Sequence, residues 1–345
     1  MLRPLWAQDS PSGAWFVAAY PQFVYSPDCE SVRRKREAPR VTTVTTNESV
    51  LSDALTAPVS EVESHMARII DERALPSNLD EAVRYAALAG GKRLRPLLVI
   101  HSCAAVGGEL EHCLPSACAV EMIHAFSLVH DDLPALDNDD LRRGRPTLHV
   151  AYTEAMAILA GDALMSIAFQ AIGDDRHEPA TAGLLLRELA TGTTDMIAGQ
   201  VYDTLGGFPD DLTEEQRLRL VHGNKTGALI QASCRMGAIS GMLGAKHRLD
   251  SAMLARITEY AEAIGLMFQV VDDLLDVEQT TEHLGKRASK DEDAGKLTYP
   301  GVLGVEGSRA IVKELENKAL QAIAPFDKPA EPLRQICRYL ATRTR

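Results

Sequence analysis

Two aspartate clusters lie far apart in this chain. One reads His130-Asp131-Asp132-Leu133-Pro134-Ala135-Leu136-Asp137-Asn138-Asp139-Asp140, the other Gln269-Val270-Val271-Asp272-Asp273-Leu274-Leu275-Asp276. Each follows an apolar, helix-periodic stretch, where gathering carboxylates is costly unless a cation neutralises them. Facing each other, the two clusters would form a cage of hard oxygen ligands. Such a cage suits Mg²⁺, which keeps some waters and completes its shell with phosphate oxygens. The candidate metal ligands are Asp131, Asp132 and Asp137 from the first cluster and Asp272, Asp273 and Asp276 from the second. Asp272 and Asp276 are four apart and share a helix face, with Asp273 beside them. Asp131 and Asp137 are six apart, about 240° around an ideal helix, too far round for one ion. Pro134 lies between them and disturbs the helix, so a local loop would bring Asp137 back towards Asp131. The plainer reading, acids that only solvate helix ends, is weakened because carboxylates at a helix C-terminus are electrostatically unfavourable.

Basic residues complete the pattern. Arg142 and Arg143 follow the first acid cluster. Gly90-Gly91-Lys92-Arg93-Leu94-Arg95-Pro96 places Lys92 and Arg95 at a helix start, where backbone N–H groups also favour anions. Arginine forks match phosphate oxygens in pairs, and lysine supplies a point charge. His124 precedes Asp131 by seven residues and falls on nearly the same helix face. Lys225-Thr226 and Gln269 are polar residues in apolar helices. Gln269, three before Asp272, should point into the same cavity. Each of these could instead be an ordinary core hydrogen-bonder.

The elements that must position these groups read as helix after helix. Ser77-Asn78-Leu79-Asp80 resembles a capping box for a helix ending at Gly90-Gly91. Further helices are expected over about 94–107, 114–133, 150–172, 181–205, 213–243 and 251–278. Strand-like alternation is absent. The pattern is that of an all-α protein, a large helical bundle around a deep central cavity. The last of these stretches would be roughly 42 Å long, enough to line such a cavity.

Composition sets the outer limits. The 345 residues suffice for one large domain or two medium ones. A net charge of -12 argues against a general nucleic-acid binder. The six cysteines show no CxxC pair and mostly lie in apolar helical context, the pattern of reduced core thiols in a cytoplasmic protein. No apolar run reaches the ~18 residues of a transmembrane helix. Residues 1–50 hold both tryptophans and the run Arg33-Arg34-Lys35-Arg36, without helical periodicity. They read as a disordered or mis-assigned extension, with a targeting peptide as the alternative, ahead of an all-α domain over 51–345.

The motifs GGKRLRP, HAFSLVHDDLPALDNDDLRRGRPTLH, AGDAL, GQVYD, HGNKTGALI, FQVVDDLLDV, LGK and KLTYP, in this order over about residues 60–340, resemble the trans-isoprenyl diphosphate synthases. The likeness is to the bacterial-type farnesyl diphosphate synthases, with geranylgeranyl diphosphate synthases close by. It implies an all-α prenyltransferase fold, a homodimer and a requirement for Mg²⁺, about three ions with substrate bound. The substrates implied are isopentenyl diphosphate and the allylic diphosphates dimethylallyl and geranyl diphosphate. Under this resemblance Arg142, Lys225 and Lys286 contact the allylic diphosphate. Lys92, Arg95, His124 and Arg143 hold isopentenyl diphosphate. Lys225, Thr226 and Gln269 stabilise the allylic cation. Phe126, five residues before Asp131, stands where a bulky side chain stops chain growth at farnesyl diphosphate. The alternative for Phe126 is ordinary core packing, since its offset puts it about 140° round the helix from Asp131. A terpene cyclase would carry an Asn/Ser/Glu-type second metal motif, and a head-to-head synthase DxxED-type pairs; neither is present. A non-catalytic subunit of a heteromeric synthase should have lost some of these acids or bases, and none is missing.

Overall fold

The computed structural model describes residues 52–173, 177–282 and 297–343. The expectations for residues 1–50, for Cys29 and for Lys286 lie outside these residues. The described elements are, in chain order, α1 (Asp53–Thr56), α2 (Val59–Asp71), α3 (Ser77–Ala87), α4 (Leu94–Ala105) and α5 (Leu110–Asp131). A minimal antiparallel hairpin follows, β1 (Leu141–Arg142) paired with β2 (Arg145–Pro146). Then come α6 (Leu148–Ala151), α7 (Glu154–Gly173), α8 (Pro179–Leu205), α9 (Glu214–His222), a one-turn π-helix (Gly223–Gly227) and α10 (Ala228–Gly244). The chain continues through α11 (Ser251–Glu282), α12 (Tyr299–Ala322), a 3₁₀ turn (Lys328–Ala330) and α13 (Glu331–Thr342). The all-α expectation holds.

Two local expectations are corrected. Ser77 does not cap α3: Pro76 occupies the N-cap position and no side-chain cap bond forms. Proline fixes its own φ near the value a helix entry needs, so the boundary moves one residue earlier than the Ser-x-x-Asp pattern suggested. The stretch 213–243 is not one α-helix. Its start is a true capping box, with Thr213 and Gln216 exchanging side-chain-to-backbone bonds. The ladder then widens to π geometry over Gly-Asn-Lys-Thr-Gly before α10 begins. α5 and α7 are each long and apolar enough by length and composition to cross a membrane, a test that buried core helices also pass. α5 reaches that state through its place in the core, with residues from Cys113 to Val129 buried on nearly every face.

The apolar core forms two clusters that sandwich α10. One joins α2–α5, α7 and α8 through Met66, Met122, Leu164 and Leu189. The other joins α4 and α10–α13 through Leu97, Tyr260, Met267 and Leu333. α10 lies directly on α4 because Gly237 carries no Cβ; one placed there would run into the Val99 carbonyl. The five cysteines among the described residues are all buried and free. Burial pushes the Cys118 thiol far up and the Cys234 thiol up to about 12, beyond the reach of physiological pH.

Candidate active site

The first acid cluster is built by the end of α5. The helix stops at Asp131, and Pro134 cannot continue the ladder. The chain instead curls: the Asp137 N–H donates to the Asp131 carbonyl at 2.8 Å, and Asn138, at φ 51°, donates to the Leu133 carbonyl at 3.1 Å. Asp137 is thereby returned towards Asp131, as the proline spacing suggested. Asp132 is buried and clamped by Arg142, whose Nε and Nη2 reach its carboxylate at 2.6–2.9 Å. Asp131 carries no such clamp. Burial pushes its carboxyl up to about 6; the nearby Lys225 charge pulls against this, and Asp137 adds to it.

The second cluster lies on α11. Burial likewise pushes Asp272 up to about 6, opposed by Arg343, whose Nη2 donates to it at 2.6 Å. Asp273 is buried and plays a different part. It accepts the Tyr299 N–H at 2.8 Å, at the N-terminus of α12, where an anion is favoured. The His222 ring sits 3.5 Å from it and stacks on Tyr299. Asp276 is exposed on the same α11 face. Asp132, Asp272 and Asp273 are thus each engaged by a protein donor, while Asp137 and Asp276 are exposed.

A cavity of about 500 Å³ gathers the cations Lys92, Arg93, Arg95, Arg142, Arg143 and Arg343, with Glu121 as its one lining acid. Lys92, Arg95, His124, Arg142, Arg143 and Thr226 line it, so six of the residues singled out from sequence converge on one space. Of the lining residues, Arg142 is tied to Asp132 and Arg343 to Asp272. The Arg95 Nε is buried without a hydrogen-bond partner. Burial and then the Arg95, Arg143, Arg142 and Arg93 charges push His124 well below the usual histidine range, so it is neutral at physiological pH. Burial also lowers Arg95 and Arg143. Cations held together at such cost call for an anion of high charge density.

The π-helix supplies the remaining groups. Lys225 Nζ is held by Asp203 at 2.6 Å, and the Thr226 hydroxyl donates to Gln269 Oε1 at 2.6 Å. α8 comes close enough to hold Lys225 only because residue 199 is glycine; a Cβ there would collide with the Lys225 backbone. Phe126 is buried in the core, edge-on to His130 at 5.0 Å, and does not line the basic cavity.

Sequence reasoning missed Arg343, Tyr339 and Asp203. Tyr339 accepts a bond from Lys92 at 3.0 Å, and both Tyr339 and Arg343 line the cavity from the end of the chain. No local spacing points to them. Asp203 lay within the GQVYD stretch, where Gly199 four residues earlier was the available signal.

The donor set fits Mg²⁺ in kind: hard carboxylate oxygens, those of half-buried Asp131 and Asp272 pushed up by desolvation. Among the described residues, however, no three His, Cys, Asp or Glu side chains converge as a ready-made metal cluster. The expected cage is thus not closed by protein groups alone. Like-charged carboxylates do not pack together without the ion, and Mg²⁺ takes much of its shell from phosphate and water.

Residues 76–330 match the family model described as Polyprenyl synthetase. Over 275 residues the chain is 45% identical to a protein named geranylgeranyl pyrophosphate synthase 9, chloroplastic, from Arabidopsis thaliana, covering 78% of this chain and 75% of that one. It is also 45% identical, over 277 residues, to a heterodimeric geranylgeranyl pyrophosphate synthase large subunit 1, chloroplastic, from the same plant, covering 78% and 73%. A solved FPP/GFPP synthase from Zymomonas mobilis superposes with a TM-score of 0.71 at 35% identity, covering 84% of this chain and 99% of that one. The all-α fold is that of these synthases. The chain belongs to the polyprenyl synthetase family and is a prenyl diphosphate synthase.

Proposed function

We propose that this chain condenses isopentenyl diphosphate with dimethylallyl and geranyl diphosphate in a head-to-tail reaction, with farnesyl diphosphate as the main product. The observation that carries the reaction is the cationic cavity with an aspartate of each cluster tied to its lining. It accommodates diphosphate groups, and the adjoining carboxylates accommodate the metal that such groups bring. Lys92, Arg95, His124 and Arg143 bind isopentenyl diphosphate. Neutral His124 donates a hydrogen bond there without adding charge. Arg142, Lys225 and Lys286 bind the allylic diphosphate, Lys225 being aimed by Asp203. Asp131, Asp137 and Asp272, supported by Asp132, Asp273 and Asp276, would hold Mg²⁺. Bound Mg²⁺ supplies charge neutralisation to the departing pyrophosphate. Thr226 and Gln269, locked together, turn oxygen dipoles towards the allylic carbon as positive charge develops, and so does the Lys225 carbonyl in the widened turn. The surrounding apolar helices exclude the water that would quench the cation.

Phe126 supports the fifteen-carbon product. It is only 7% exposed, so no open channel passes it along α5. Geranylgeranyl diphosphate is the second reading, favoured by the names of the plant relatives. A homodimer is supported by exposed apolar residues on two neighbouring helices, Ile158 and Leu159 on α7 and Ile197, Val201 and Leu205 on α8. We take 51–345 as the prenyltransferase domain, and the cytoplasm as its place on the strength of its free thiols. The test feeds the purified chain dimethylallyl and isopentenyl diphosphates with Mg²⁺ and chromatographs the dephosphorylated products. Fifteen-carbon alcohol is expected; twenty carbons would replace the first reading with the second, and no elongation by the chain alone would point to an obligate partner subunit.

A further inference from the structure

The last described residue of the chain occupies a place that neither acid cluster nor basic motif foretold. Arg343 follows the end of α13, outside the helical ladder. Its guanidinium lies over the Phe268 ring at 3.9 Å and donates to the Phe268 carbonyl at 2.7 Å and to Asp272 at 2.6 Å. Its side chain is only 8% exposed. Its Nε, also buried, has no hydrogen-bond partner. The same side chain forms part of the cavity wall with Lys92, Arg95 and Arg143.

A guanidinium so placed has two competing anionic partners. One is Asp272, a half-buried carboxylate whose charge Arg343 neutralises. The other is whatever anion enters the cavity that Lys92, Arg95 and Arg143 make positive. Arg343 on Asp272 Oδ1 and a metal on the same carboxylate compete for one negative charge. A guanidinium already at hydrogen-bond distance weakens the pull of that carboxylate on a second cation and repels it. Arg343 has extended backbone just past α13, outside its hydrogen-bonded ladder, so its side chain can leave Asp272 without breaking a helix turn.

We propose that Arg343 is an exchangeable counter-ion: it holds Asp272 while metal is absent, yields that carboxylate to the metal, and turns its guanidinium to the diphosphate in the basic cavity. Loading of metal at Asp272 is thereby coupled to grip on the diphosphate in the cavity. The inference rests on the reaction proposed above for its second partner, but not for its first. The aromatic face of Phe268 is the pivot, because a stacked guanidinium can rotate in its plane and keep that contact.

The exchange predicts effects of opposite sign from one substitution. In Arg343→Gln, Mn²⁺ titrated into the full chain without substrate, followed by loss of the free-ion electron paramagnetic resonance signal, should bind about five- to tenfold more tightly, the scale of a freed charge pair. The KM for isopentenyl diphosphate should rise about tenfold, the worth of one charge-assisted phosphate contact, while the KM for geranyl diphosphate stays within about twofold. On an Asp272→Asn background the same substitution should leave Mn²⁺ affinity unchanged, since the contested carboxylate is gone. Arg343→Lys, which keeps the charge, should recover part of the isopentenyl diphosphate affinity. A side chain that merely braces the chain end would weaken metal and substrate together. Unchanged or weaker Mn²⁺ binding in Arg343→Gln, or an unchanged KM for isopentenyl diphosphate, overturns the exchange. Failure of the wild type to elongate any allylic diphosphate would sink the proposed reaction, while the Mn²⁺ arm would still decide the first half of this inference.

Discussion

Replacing Phe126 by alanine decides between the two product readings. Phe126 is 7% exposed and packs edge-on to His130, with ring centroids 5.0 Å apart. His130 cannot swing into the space left behind. Its Nε2 is bonded to the Ile158 carbonyl at 3.1 Å, and it rests on Gly161, where even a Cβ would collide with the ring. The void should therefore persist rather than collapse. A persistent void puts the cost near the upper part of the Phe→Ala range, about 3–5 kcal/mol. At roughly 2 °C per kcal/mol for a chain of this size, Tm should fall by roughly 6–10 °C. Five residues at 1.5 Å rise place the void about 7.5 Å from Asp131 along α5. One isoprene unit spans four carbon–carbon bonds, roughly 5 Å once projected on the chain direction. A tail that stops against Phe126 in the wild type therefore gains room for one further unit. With excess isopentenyl diphosphate the variant should make twenty-carbon product where the wild type makes fifteen. A Tm loss of this size with unchanged fifteen-carbon product would show that Phe126 is core packing and that the floor lies elsewhere. Twenty carbons from the wild type would show that Phe126 never was the floor.

Asp131→Ala or Asp272→Ala should lower kcat at least about a hundredfold with unchanged circular dichroism, because each is argued to act in the ionisation step; near-normal turnover would remove that residue from the mechanism. Lys92→Ala should raise the KM for isopentenyl diphosphate, whereas Lys225→Ala and Asp203→Asn should both impair kcat and the allylic KM, roughly tenfold or more for a lost charge-assisted contact. Equal effects on both substrates would dissolve the assignment of separate pockets. The carboxyls of Asp131 and Asp272, held at about 6 in the fold against 3.8 ordinarily, favour the folded state when protonated. Their contribution to the metal-free chain is present below about 4, declines as pH rises to about 6, and stays lost above. Thermal scans should show a Tm slope over that window that is reduced in the Asp131→Asn, Asp272→Asn double variant; an identical slope would mean that neither group is strained by burial.

Much of the site was legible because it was written in local spacing. Pro134 between Asp131 and Asp137 announced the curl that the Asp137 N–H to Asp131 carbonyl bond closes. Gly90-Gly91 before Lys92 and Arg95 marked a helix start, and both side chains line the cavity. What stayed hidden depended on tertiary approach. Arg343 and Asp272 are 71 residues apart, and no period links them. The separate duties of Asp131 and Asp132 follow from Arg142 arriving on a hairpin, which no helix-face count could assign. The π turn at Gly223–Gly227 was invisible because its composition is compatible with an ordinary helix; only the packing of Gly199 against Lys225 displays it. Ser77 misled because a good capping residue was preceded by a proline better placed for the task.

The central claim is that one chain, with Mg²⁺, joins isopentenyl diphosphate to an allylic diphosphate in the cavity tied to the two aspartate clusters. A single-turnover experiment tests it most directly: purified chain in excess over radiolabelled geranyl diphosphate, with isopentenyl diphosphate, and Mg²⁺ added last to start the reaction. The account predicts that label passes from ten-carbon to fifteen-carbon alcohol after dephosphorylation, only after Mg²⁺ is added, and not in Asp131→Ala or Asp272→Ala. Label that stays at ten carbons, or elongation that proceeds equally in those two variants, would contradict it.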